Sequence, residues 1–143
     1  MEAYEMAGHL IRRLQQISTQ VFTTRAREAG FDLTSVQFAA MDAIRDKPGI
    51  DQAGVAAMIA YDKATIGGVI DRLVAKGLVA RSVSERDRRA REVRLTDAGQ
   101  ACFDALLPIV RTLQDDILAP LAPEERRRCL NLARKLIDGA TAS

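Results

Sequence analysis

Apolar residues recur at helical spacing along most of this chain and shorten into two β-prone runs at only one place. Met6, Leu10, Leu14, Ile17 and Val21 step by four, four, three and four, which predicts a helix to about Ala29 with Gly30 as its stop. Thr34-Ser35-Val36-Gln37 reads as a capping box, the hydroxyl and the amide each satisfying an orphan backbone N–H. It opens a second helix whose buried face is Val36, Ala40, Met41 and Ile44, and Pro48-Gly49 ends it. Asp51 is placed to cap a short third helix, Gln52 to about Ile59. Asp62 caps a fourth, Lys63 to Lys76, with Ile66, Val69, Ile70, Leu73 and Val74 turned inward and Gly77 just past its end.

The periodicity then changes. Leu78-Val79 and Val93-Arg94-Leu95 flank a polar tip, Ser84 to Arg89, too hydrophilic for a core, and this predicts a β-hairpin. Thr96 caps the helix that leaves it. That helix runs to about Leu118 with Cys102, Leu106, Ile109, Val110, Leu113 and Ile117 on one side, and Pro108 is expected to kink or split it. A last helix begins near Pro123, carries Glu124 and Glu125 at its positive end, and presents Cys129, Leu130, Ala133, Leu136 and Ile137. Residues 139–143 are expected to fray. The fold class is mainly α with a small β-hairpin, in the order α-α-α-α-β-β-α-α. Residues 31–99 are expected to form a winged helix-turn-helix lobe. Residues 1–30 and 100–143 are dimerisation helices, their apolar faces meeting those of a second copy.

Charge sharpens this picture. The first fifty residues and the last forty-three are each neutral, and the net charge of +2 sits in the middle third. Within 81–94 six arginines face Glu85, Asp87 and Glu92. A basic hairpin beside a helix is suited to a DNA backbone and groove. The apolar runs fall far short of the ~18–20 residues a membrane span needs. The N-terminus carries acids where a signal peptide carries cations. The expected setting is cytoplasmic. Cys102 and Cys129 form no CxxC pair and the one histidine, His9, is remote, so the chain suggests two thiols packed as small apolar residues and no metal or other cofactor.

The fourth helix is the candidate recognition helix. Its outer positions include Lys63, Ala64, Thr65, Gly68 and Arg72. Small residues allow close approach to the major-groove floor, and Thr65 can bond a base edge or offer its methyl to thymine. Gly67 and Gly68 each cost roughly 1 kcal/mol relative to Ala in a helix interior, which implies close backbone approach to DNA or to the third helix. In the hairpin, Arg86, Arg88 and Arg89 can enter a minor groove or pair with phosphates, and Asp87 is near enough to Arg89 to hold its guanidinium in one pose.

Several segments in order resemble the MarR family of bacterial transcription regulators: LTSVQF at 33–38, DKAT at 62–65, VIDRL at 69–73, KGLV at 76–79, DRR at 87–89 and LTxxG at 95–99. The resemblance extends over most of the chain. It implies a winged-helix homodimer on a pseudo-palindromic double-stranded operator, in many members released when a small aromatic acid or phenol binds between dimer body and DNA-binding lobe. By the same resemblance Lys63, Thr65 and Arg72 fall in the recognition helix, and Asp87 and Arg89 match the wing's acid–arginine pair. Peroxide-sensing members carry a reactive cysteine in the first helices; here both cysteines lie beyond residue 100, against oxidant sensing. The first helix is similar to regulators of aromatic and N-heteroaromatic acid breakdown, which points to an effector such as a hydroxylated nicotinate or benzoate. His9 and Arg13, at i and i+4, form a reasonable receptor for a carboxylate and a ring hydroxyl, with Gln37, Phe38 and Met41 completing the wall. The alternative for His9 and Arg13 is a surface pair or a dimer contact.

An enzyme would need clustered titratable groups, and a single histidine with no phosphate loop or nucleophile motif argues against one. A ligand-independent regulator and a winged-helix protein-interaction module are the remaining alternatives.

Overall fold

A computed structural model describes residues 2–141. A single 3-10 turn, Glu2–Glu5, precedes α1 (Ala7–Glu28), α2 (Ser35–Asp46), α3 (Gln52–Met58), α4 (Lys63–Ala75), β1 (Val79–Val83), β2 (Arg91–Leu95), α5 (Asp97–Ile117) and α6 (Pro123–Thr141). The expected order holds, and the caps explain why the helices start where they do. Thr34 Oγ1 accepts from Gln37 N at 3.1 Å while Gln37 Oε1 accepts from Thr34 N at 3.2 Å, both halves of the capping box. Asp51 accepts from Gly54 N at 2.7 Å, Asp62 from Ala64 N at 2.9 Å and Thr96 from Gly99 N at 3.0 Å. Each such cap is worth about 1 kcal/mol.

β1 and β2 form an antiparallel pair with Val79 opposite Leu95 and Val83 opposite Arg91. The strands reach further toward the tip than their apolar residues suggest, because backbone pairing continues through Arg81, Ser82 and Glu92. The turn between α2 and α3 also joins β2. Gly49 N donates to Val93 O, Val93 N donates to Ile50 O at 2.9 Å, and Asp51 bridges Glu92. The wing is thereby tied to the foot of α3.

Thr96 ties the other side. Its N–H donates to Leu78 O at 3.0 Å, its hydroxyl donates to Gly77 O at 2.6 Å, and the same oxygen accepts from Gly99 N. This draws the first turn of α5 so close to the end of α4 that a Cβ on Gly99 would lie 1.9 Å from the Leu78 carbonyl oxygen. The glycine of the LTxxG segment is therefore fixed by a steric contact across the chain.

One core serves the molecule. Ile66, Val69, Ile70 and Leu73 of α4 meet Met41 and Ile44 of α2, Val55 of α3, and Val79 and Val93 of the wing. Phe22 and Ala26 of α1 and Phe103, Leu106 and Leu113 of α5 belong to the same cluster. Phe38 stacks on Phe103 with ring centroids 4.8 Å apart, and the Arg45 guanidinium lies 4.4 Å over the Phe103 ring. The second half of α1 and much of α5 thus feed the core of the lobe.

The structure departs from expectation at three places. α5 is not split at Pro108 but continues through it, with Leu106 and Leu113 buried on either side. Ser84 is buried, at 6% exposure, inside a tip expected to be wholly solvated. α6 continues to Thr141, past the residue where fraying was expected; residues 142–143 lie outside the described residues. Among the described residues no single helix is long and apolar enough to cross a membrane.

Candidate nucleic-acid interface

Helix α4 buries Ile66, Val69, Ile70 and Leu73 and turns Lys63, Ala64, Thr65, Gly68, Asp71 and Arg72 outward. The outward stripe is nearly bare at its centre. A Cβ built on Gly67 would meet nothing closer than Gln52 Nε2 at 3.9 Å, and one on Gly68 nothing closer than Arg72 Nη1 at 4.0 Å. Both are ordinary contacts, and neither glycine has a positive φ. Nothing in the protomer requires these glycines, so the third helix does not explain them. Their cost of about 1 kcal/mol each calls for something outside the chain that approaches this backbone.

The wing tip is ordered by two polar side chains. Ser84 Oγ accepts from the backbone N–H of Arg86 at 3.2 Å and of Asp87 at 3.3 Å, while Ser84 N donates to Ala90 O. That inward role is why Ser84 is buried. Asp87 Oδ1 accepts from Arg89 N at 3.0 Å, and its contact with Arg89 Nε is longer, 3.9 Å. The carboxylate therefore shapes the turn more than it grips the guanidinium. The Arg89 side chain is 97% exposed, and Arg86 and Arg88 are exposed beside it.

The expected ligand residues are not assembled in one chain. His9 meets Tyr4 edge-on with ring centroids 4.7 Å apart, and Arg13 donates to Gln16 on the same helix. Phe22, the α1 residue beside Phe38, lies 13 residues beyond His9, about 20 Å along the helix. Met41 is fully buried and Gln37 nearly so. Gln37 Oε1 is already committed to Thr34 N and to Lys76 Nζ, the latter at 3.2 Å. Lys76 also donates to the carbonyl of Asp32, which ties the end of α4 to the entry of α2.

Open clefts border the outer helices, two of them with mainly apolar walls. One, about 440 Å³, has an apolar wall of Pro108, Ile109 and Leu113 and an edge formed by the Arg25–Asp116 pair, Nε to Oδ2 at 2.9 Å. The other, about 530 Å³, lies between Ile11 and Leu14 of α1 and Leu132 and Leu136 of α6. Around it Leu10, Ile11, Leu14, Leu130, Leu132, Leu136 and Ile137 are exposed, and α6 has no buried residue. Two helices with such faces are incomplete without a partner. Both cysteines are free and half-buried, and burial raises the Cys102 thiol above its ordinary pKa, with Lys76 pulling slightly the other way.

A group that pattern reading missed joins α3, α4 and β1. Arg81 Nη1 donates to Asp71 Oδ1 at 2.6 Å and to Gln52 Oε1 at 3.1 Å. Gln52 lies 29 positions from Arg81, so no local spacing signals the contact.

Known proteins share this sequence pattern and fold. Residues 31–90 match the model of the MarR family. The HTH-type transcriptional repressor NicR of Pseudomonas putida is 39% identical over 94% of this chain and 84% of its own length. Bordetella bronchiseptica BpsR, whose DNA binding is regulated by 6-hydroxynicotinic acid, superposes with a TM-score of 0.83 at 34% identity, covering 94% of this chain and 95% of that one. PcaV, a transcriptional regulator of Streptomyces coelicolor solved with its natural ligand, gives a TM-score of 0.84 at 32% identity, covering 98% and 97%.

Proposed function

This chain belongs to the MarR family of transcription regulators, and from that premise we propose that it is a homodimeric repressor which a small aromatic acid releases from its operator. It is a sequence-specific DNA-binding regulator, and the observation that carries the site is the glycine pair on the outer face of α4. A helix this thin at Ala64, Gly67 and Gly68 can approach the major-groove floor, with Lys63, Thr65 and Arg72 reaching to either side.

Residues 31–99 act as the DNA-binding lobe. Residues 1–30 and 100–143 carry the dimer, through the exposed apolar faces of α1 and α6. Two copies of α4 then enter successive major grooves about one helical turn, ~34 Å, apart. Arg86, Arg88 and Arg89 reach the minor groove and backbone at the flanks, their loop held open by Ser84 and Asp87. The protein acts in the cytoplasm, at the nucleoid.

The effector is an aromatic carboxylate of the hydroxynicotinate or hydroxybenzoate type. The likeness to a regulator controlled by 6-hydroxynicotinic acid supports this class. His9 and Arg13 supply an imidazole and a guanidinium on one turn of α1. The exposed N-terminal half of α1 can bring them to a site shared with a second copy, while Gln37, Phe38 and Met41 stay closed within the core of the lobe. A ligand that favours one spacing of the two lobes shifts the dimer toward it and changes operator affinity.

The test is a fluorescence-anisotropy titration of a palindromic duplex recovered from a random library, with and without 6-hydroxynicotinate or 4-hydroxybenzoate. The expected result is tight binding that weakens steeply between low and moderate salt and is relieved by one of the acids. A monomeric protein with no DNA affinity in dilute buffer would refute the reading. Effector release that persists in both His9→Ala and Arg13→Ala would remove those two residues from it.

A further inference from the structure

Asp71 is an odd residue to find on a surface that meets DNA. It lies seven positions from Ala64 and four from Gly67, on the same outward stripe, and its side chain is 61% exposed. A bare carboxylate there opposes phosphate. Arg81 neutralises it at 2.6 Å and spends the same nitrogen on Gln52. One guanidinium therefore joins the first residue of α3, the third turn of α4 and the base of the wing.

That junction fixes an orientation. A guanidinium only donates, so the Gln52 atom facing Arg81 is the amide oxygen and the NH2 group faces away. Gln52 Nε2 lies 3.9 Å from where a Gly67 Cβ would stand, at the margin of the glycine surface. Among the described residues nothing accepts a hydrogen bond from it.

The geometry points to Gln52 as a further operator contact outside the recognition helix, its amide NH2 donating to an acceptor on the DNA beside Gly67, with Asp71 and Arg81 as positioning residues. The acceptor is a purine N7 in the major groove, which carries sequence information where a phosphate oxygen does not. This rests on α4 being the recognition helix. It adds a reader from α3 and gives the acid on the DNA face a purpose: Asp71 holds Arg81, and Arg81 holds the amide.

The full-length protein is titrated against the library-selected duplex and a scrambled duplex of equal length. Gln52→Ala lowers operator affinity about tenfold and leaves scrambled affinity within about twofold, the loss expected for one hydrogen bond to an ordered acceptor. Gln52→Glu is the decisive variant. It keeps an acceptor for Arg81 but removes the donor, so the operator-to-scrambled ratio falls at least as far as in Gln52→Ala. A Gln52→Glu protein with the wild-type ratio overturns the proposal, because Gln52 then only braces Arg81. Asp71→Ala frees Arg81, raising scrambled affinity and steepening the salt dependence while the ratio drops. Arg81→Lys keeps the charge without the fork and does not restore the ratio. Operators carrying 7-deazapurines one at a time locate the acceptor: the purine at which wild type and Gln52→Ala become equal is the partner. If they stay unequal at every purine, the contact is refuted. If wild type itself fails to discriminate the duplexes, the reading of α4 has failed; if it discriminates and Gln52→Ala matches it, this inference alone has.

Discussion

Replacing Gly67 and Gly68 together by alanine is expected to make the protein more stable and worse at its task. Helix-interior glycine costs about 0.8–1.0 kcal/mol relative to alanine, so the pair is worth about 2 kcal/mol per protomer. The gain is available because each new methyl meets only the far end of a flexible side chain, at 3.9 Å and 4.0 Å, and no backbone. At about 2–4 °C per kcal/mol for a chain of this size, the thermal midpoint should rise about 4–8 °C, measured at one fixed protein concentration because a dimer's midpoint depends on it. On DNA the sign reverses. A methyl adds about 1.5 Å of bond length to the helix surface. Hydrogen bonds made at 2.7–3.2 Å do not survive a displacement of that order. Loss of one bidentate base contact costs about 1–3 kcal/mol, so operator affinity should fall about tenfold to a hundredfold, while scrambled DNA, held mainly through charge, changes little. Calorimetric or chemical unfolding and anisotropy on one preparation decide the matter. A lowered midpoint would show that the space over the glycines is not free. A raised midpoint with unaltered operator affinity would show that the face does not meet the groove.

The remaining predictions draw on single contacts. Gly99→Ala should destabilise by about 3 kcal/mol or more, since its Cβ would fall 1.9 Å from the Leu78 carbonyl and neither helix end can yield without breaking the Thr96 bonds; unfolding in urea measures this, and a loss below about 1 kcal/mol would contradict the contact. Arg89→Ala removes a side chain that is 97% exposed, so the melting curve should stay unchanged while operator affinity drops by about 1–3 kcal/mol with a shallower salt dependence; undiminished affinity counts against the wing. Cys102, whose thiol burial holds above the usual cysteine range, should carry less thiolate than a free cysteine at neutral pH and react with iodoacetamide more slowly; its rate should rise only as pH climbs past the ordinary thiol pKa, and rapid labelling at pH 7 would contradict its half-buried position.

The elements of this protein were legible in its sequence because their causes are local. Thr34 and Gln37, Asp51, Asp62 and Thr96 each cap a helix within three residues of themselves, and the step of three or four that buries Ile66, Val69, Ile70 and Leu73 also turns Lys63, Thr65 and Arg72 outward. A charge excess over 81–94 marks the wing for the same reason: cations close in sequence are close in space on a hairpin. What pairing across the chain decides could not be read this way. Ser84 looks solvated until the turn folds back and its hydroxyl accepts two N–H groups. Gly99 is only the last letter of the LTxxG segment until Leu78 is laid against it. Gln37 and Met41 look like a pocket wall because a helical repeat tells which residues share a face, not whether that face is open, and only the packing of α2 into the core, with Lys76 laid against Gln37, closes it. Periodicity and capping act over one or two turns of chain; accessibility, steric contact and the joining of Gln52 to Arg81 arise between segments tens of residues apart, which only the folded chain brings together.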